Sequence, residues 1–189
     1  EDPRTGQQTR WKFETDDDAE AEGDVIKFTN ARATDGEVIV TGKAVAYNRA
    51  TDVLTATGAV EYFAPDANVI ADKAVVYSNE KRTVLTGNVS MLIKPEQEQK
   101  LEEVELQPYR PLVPTEVSAE RPLPPPVESD DHPVRDPDNL RDYPVMVLAQ
   151  QVEYWYTEGR ERAVITGSPQ ARQEFPDGEW RMVWAKKGT

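Results

Sequence analysis

Val69-Ile-Ala-Asp-Lys-Ala-Val-Val-Tyr-Ser-Asn-Glu-Lys-Arg-Thr-Val-Leu-Thr-Gly-Asn-Val89 decides the fold. It holds two runs rich in β-branched and aromatic residues, parted by the polar stretch Ser78-Asn-Glu-Lys-Arg82. Such text reads as an antiparallel hairpin. The second run closes on Thr86-Gly87, and Thr-Gly recurs at 41–42, 57–58 and 166–167. Lys43-Ala-Val-Ala-Tyr47 parallels Lys73-Ala-Val-Val-Tyr77, so the repeating unit is strand, turn, strand, Thr-Gly. Gly58 to Gly87 is 29 residues and Gly87 to Gly167 is 80, which leaves 30 once a 50-residue insertion is removed. A fixed period of this size marks a stack of supersecondary units. A Gly inside a strand weakens it unless a bulge or corner needs it. Its return at one point of every hairpin predicts a sheet folded over along a line.

The insertion is residues 94–143. Eleven of the fifteen prolines fall between Pro95 and Pro144, and a residue without an N–H donor cannot pair in mid-sheet. Extended, polyproline-like chain is expected, with one short helix allowed at Glu96–Leu106 by its Lys, Glu, Gln and Leu. We take 94–143 as a solvated linker, and 1–93 with 144–189 as one domain. Arg121-Pro-Leu-Pro-Pro-Pro126 also fits a polyproline ligand, although a stiff surface strap accounts for it as well.

The chain carries a net charge of −13, which argues against nucleic acid as a partner, since phosphate binding needs a basic face. Residues 1–35 hold five basic and ten acidic side chains and residues 94–143 six and thirteen, so the acidity sits in segments that read as exposed. No apolar run approaches the ~20 residues of a spanning helix. The amino end has neither a basic nor an apolar leader, so Glu1 reads as the start of a processed or trimmed chain. Without Cys there is no disulfide scaffold and no thiolate chemistry. His132, the one histidine, lies in Ser129-Asp-Asp-His-Pro133 within the insertion, far from the rigid scaffold that a catalytic base needs. One His and no Cys are too few for zinc, and neither Asp16-Asp17-Asp18 nor Asp130-Asp131 has the alternating spacing of a calcium loop. No catalytic residue, metal or cofactor is expected; the chain reads as a non-enzyme.

Alternation assigns one apolar face per strand. Leu54, Ala56, Gly58, Val60 and Tyr62 share a side, with Thr55 opposite. Leu85, Gly87, Val89, Met91 and Ile93 share another, with Asn88 opposite. Met146, Leu148, Val152, Tyr154 and Tyr156 follow, continued by Ile165 and Ala171. At Ala71–Tyr77 the alternation fails: one choice points Lys73 inward and the other buries Asp72, unless a bulge intervenes. The face is built of small and medium side chains. It fits either a solid core, in a structural or adhesive repeat protein, or a groove for acyl chains.

The repeat unit itself resembles that of the OstA/LptA-like proteins, in which an Ala-Asp-x-Ala-x-x-Tyr strand, a polar turn and a Leu-Thr-Gly-Asn-Val strand recur in tandem. Leu54-Thr-Ala-Thr-Gly-Ala-Val60 matches the second half, and Ala149 to Tyr156 with Val164-Ile-Thr-Gly-Ser-Pro169 matches the unit more loosely. The resemblance covers 36–93 and 144–175. It implies an all-β, antiparallel β-jellyroll (β-taco) in the periplasm. It also implies non-covalent binding of lipopolysaccharide or a similar glycolipid, and edge-to-edge docking onto itself or related jellyrolls in a trans-envelope bridge. The lipid-binding residues expected on this basis are Leu54, Ala56, Val60, Tyr62, Leu85, Val89, Met91, Leu148, Val152, Tyr154 and Ile165.

Overall fold

The computed structural model describes residues 11–107, 142–157, 162–175, 180–184 and 187–188. His132, the acidic pair before it and the polyproline run at 121–126 lie outside these residues. The chain forms the expected antiparallel β-jellyroll. Its strands are β1 (Lys12–Thr15), β2 (Glu20–Glu22), β3 (Val25–Thr34), β4 (Ile39–Asn48), β5 (Val53–Phe63), β6 (Ala67–Tyr77), β7 (Arg82–Ile93), β8 (Val145–Trp155), β9 (Arg162–Thr166), β10 (Gln170–Glu174), β11 (Trp180–Trp184) and β12 (Lys187–Gly188). They make one sheet in the order β1-β3-β4-β5-β6-β7-β8-β10-β11, with β2 beside β3, β9 beside β8 and β12 beside β9. No helix among the described residues is long and apolar enough to cross a membrane.

Every long strand is bent in its middle, and the bends line up as a corner. Register shifts fall between Thr57 and Val60 on β5, Ile70 and Lys73 on β6, and Thr86 and Val89 on β7. The strands turn this corner in two ways. On β4, β6 and β8 two consecutive residues point outward, Lys43-Ala44, Asp72-Lys73 and Gln150-Gln151, and the inward series resumes after three steps. On β5 and β7 the inward series jumps four, from Ala56 to Val60 and from Leu85 to Val89, through a left-handed pair. The pairs are Gly58-Ala59 (φ 78° and 51°) and Gly87-Asn88 (φ 76° and 46°). The Thr-Gly repeat is thus the signature of the corner. A Cβ on Gly87 would stand 2.8 Å from the Asp72 Cβ, so both the backbone angle and the space select glycine. The conflict at Ala71–Tyr77 is resolved here as a bulge: Ala71, Ala74 and Val76 are buried while Asp72 and Lys73 both face out.

One expectation is sharpened and one corrected. The acidic amino segment contributes β1, β2 and β3 to the fold, and Trp11, Phe28, Ala31 and Ala33 join the core. The acidic side chains Glu14, Glu20 and Glu22 sit on the exposed side, so composition concealed the buried one. The insertion, in turn, does not open with a helix at Glu96–Leu106. A single 3-10 turn spans Glu96–Glu98, and the chain then runs extended along the outer face of the sheet. Arg32 Nε pairs with Glu103 Oε1 at 2.6 Å, and a cavity of about 440 Å³ is lined by Ile70, Leu92, Met146, Val104 and Leu106. At the foot of this segment Lys94 is buried. Its Nζ donates to the carbonyl oxygens of Ala64 (3.2 Å) and Lys100 (2.8 Å), and desolvation holds its pKa below the ordinary lysine value.

Candidate functional site: the interior of the folded sheet

The corner divides the sheet into two wings whose inner faces meet. The first wing carries the hairpin turns at 48–53 and 77–82, and the second those at 34–39 and 63–67. Alanine is frequent where they meet: Ala31, Ala33, Ala56, Ala64, Ala67, Ala71 and Ala74 are all buried. With little more than a Cβ at each of these positions, the wings approach closely.

Most of the expected residues gather in this interior. Leu54, Ala56, Val60, Tyr62, Leu85 and Val152 are fully buried; Val89, Met91 and Tyr154 are nearly so, and all belong to one core. Ile165 packs against that core from its margin, opposite Val152. Leu148 is misplaced by the alternation: it pairs with Ser90 and lies outside the core, while Val147 beside it is buried. The outward pair Gln150-Gln151 reverses the phase between Val152 and Ala149. That reversal puts Met146 and Leu148 on the outer face.

Polar bonds close the seam opposite the corner. Trp11 Nε1 donates to Ser78 Oγ at 2.9 Å, Lys81 pairs with Glu37, and the Tyr154 hydroxyl donates to the Asp66 carboxylate. Inside the seam, Thr83 Oγ1 donates to the Tyr62 hydroxyl at 3.3 Å, and burial pushes the Tyr62 phenol well above its usual range. Sequence reasoning missed these ties, which link residues 67, 44 and 88 positions apart in the three cases at the rim.

The two ends of the interior differ. At the β1 end Phe13 stacks on Phe28, with ring centroids 4.3 Å apart, and leans on Tyr47 at 5.5 Å. Trp11, only 2% exposed, fills the space beside them. At the β11 end the inner face runs into solvent. Ala171 packs on the core and pairs with Val183, which therefore lies on the same face and is 58% exposed. Among the described residues, no group of three or more His, Asp or Glu side chains is placed to hold a metal.

No known family profile matches this chain, and no curated protein sequence matches it. Among solved structures it is similar to LptH of Pseudomonas aeruginosa, described as the LptA-homologous periplasmic component of the conserved lipopolysaccharide transport device. The match covers 92% of this chain and 93% of that one, at 13% identity and a TM-score of 0.46.

Proposed function

We propose that this chain is a non-enzymatic, periplasmic carrier that holds the acyl chains of lipopolysaccharide or a similar glycolipid between its wings. On this proposal it works within a trans-envelope bridge, docking related jellyrolls or further copies of itself through its edge strands. The observation that carries the reading is the open β11 end. The inner face continues from the core through Ala171, yet it is left uncovered at Val183. An exposed apolar face continuous with an interior is where a nonpolar ligand enters. Small side chains and a seam held by a few polar bonds favour wings that can part. The resemblance of the Thr-Gly repeats supplies the class of ligand and the compartment.

A photo-reactive residue at Val60 or Val89 should capture lipid from an envelope extract, while one at Thr55 or Asn88, on the outer face, should not. Capture confined to the outer positions would refute the carrier. A second reading has its own observation, the closed packing between the wings from β4 to β7, where the inner side chains are almost fully buried. On that reading the chain is a structural or adhesive scaffold with a dry core, and neither inner position would capture lipid.

A further inference from the structure

The β11 end of the interior carries more than an apolar surface. β10 and β11 pair in the register Gln173↔Arg181, Arg172↔Met182 and Ala171↔Val183. Residues directly opposite in an antiparallel pair point to the same side of the sheet. Gln173 is buried and Ala171 packs on the core, so both Arg181 and Val183 project from the inner face. Arg181 is exposed and makes no ion pair or hydrogen bond among the described residues. This is notable in a chain of net charge −13, where Arg32, Lys81 and Arg82 each have a carboxylate partner.

The positions have an order. Ala171 and Val183 lie nearer the corner, deep in the fold, and Gln173 and Arg181 lie nearer its outer margin. That margin is walled by Tyr143 against Phe175, with ring centroids 5.3 Å apart, and by the hydrogen bond from Gln173 Nε2 to the Tyr143 carbonyl at 3.1 Å. The inner face of this edge therefore grades from apolar to cationic over one pair of residues. An acyl chain with an anionic head has the same gradient. A guanidinium presents a planar fork of donors that matches a phosphate or carboxylate.

We propose that Arg181 and Val183 form the mouth of the interior, and that this mouth takes an amphiphile with an anionic phosphate or carboxylate head. Val183 and Ala171 receive the chain, and Arg181 binds the head at the margin. Loading is one-ended, because Trp11, Phe13, Phe28 and Tyr47 fill the opposite end. This rests on the carrier reading and adds to it the charge of the ligand and the side by which it enters.

The test uses the full chain and three probes: hexadecyl phosphate below its micellar concentration, uncharged monopalmitin, and inorganic phosphate. Losing a charged hydrogen-bond partner should weaken hexadecyl phosphate binding by about tenfold in Arg181→Gln. Arg181→Lys should recover most of the affinity, and monopalmitin should bind both variants as it binds the wild type. Val183→Asp should weaken both lipids, and inorganic phosphate should compete with neither. Equal affinity of wild type and Arg181→Gln for hexadecyl phosphate would overturn the assignment. So would inorganic phosphate displacing the lipid, which would mark a free-anion site. If Val183→Asp leaves lipid binding intact but abolishes self-association, the edge is a protein interface and the proposal fails. The carrier reading stands or falls separately: lipid captured at Val60 and Val89 without any effect of Arg181→Gln removes the mouth alone.

Discussion

Substituting Gly87 by alanine tests the corner on which the fold depends. Two costs can be separated. With φ at +76°, an L residue pays about 1–2 kcal/mol for the left-handed backbone. The new Cβ would also collide with Asp72 Oδ2 and stand 2.8 Å from Asp72 Cβ. The carboxylate can swing away, but the Asp72 Cβ is fixed to its strand, so the backbones must shift. Overpacking of that kind costs about 1–3 kcal/mol. The bond from Asn88 Nδ2 to Asp72 at 2.9 Å would be disturbed too. The expected loss is about 2–5 kcal/mol, a large part of the ~5–15 kcal/mol that holds a domain folded. Gly58→Ala provides the comparison. Its φ is +78°, but the contact is Lys43 Cβ at 3.1 Å, which needs only a few tenths of an ångström of movement. That variant should lose about 1–2 kcal/mol, mainly the backbone term. Urea unfolding of both, with Asp72→Gly alone and combined with Gly87→Ala, gives the steric part as a coupling energy of about 1–3 kcal/mol. The reasoning is refuted if Gly87→Ala costs no more than Gly58→Ala, or if Asp72→Gly recovers nothing.

Tyr154→Phe removes the hydroxyl that ties β8 to Asp66 across the seam; it should cost about 1–3 kcal/mol and raise lipid capture at Val60, whereas unchanged amide exchange along the seam would show that the tie is idle. Deleting 96–142 takes away Glu103, Val104 and Leu106 and uncovers Ile70 and Leu92, so a drop of about 1–3 kcal/mol is expected, against the unchanged stability of a free linker. The folded-state pKa of Lys94 is depressed, so above it the folded protein has released a proton that the unfolded chain keeps. Its contribution to stability therefore rises with pH between the depressed value and that of a free lysine. Urea titrations at about pH 8 and about pH 10 should show that Lys94→Met loses this slope, and equal slopes in the two proteins would contradict it. Self-association through β11 should depend on concentration in sedimentation and vanish in Met182→Pro; a wild type monomeric at every concentration would remove the bridge.

The corner was the most legible part of the fold, because it demands glycine at one point of each β5-like strand and so leaves a period of 29 to 30 residues. The phase change on β6 showed itself as a conflict, since the two residues turned outward there, Asp72 and Lys73, are charged. The same change on β8 was invisible. Gln150 and Gln151 are polar enough for either alternation, which is why the sequence pattern alone places Leu148 inward. The strands of the amino segment are hidden because Asn30, with φ of 46°, breaks the alternation between Phe28 and Ala31, and because acidic residues crowd the text from Glu14 to Asp24. The seam could not be read at all. Its partners are distant in the chain, and nothing local requires a Ser78 to await Trp11 or an Asp66 to await Tyr154. Arg181 gives no local signal for a related reason: only the register of β10 on β11 shows which side it takes.

The order of strands has a consequence for how such a chain can change. From β4 to β7 each strand bonds only to the strands before and after it in sequence, so the sheet grows along one direction there as a repeat array does. A hairpin duplicated between two corners would find both neighbours ready, and its own Thr-Gly would fall into line. Each such event would lengthen the interior by about 10 Å, two strand spacings, without altering a loop elsewhere. The length of the interior is therefore a quantity that whole-hairpin gain or loss can tune in fixed steps. β7 and β8 pair across the corner although a long connection separates them in sequence, so the hairpin ends tolerate length while the corner keeps its register.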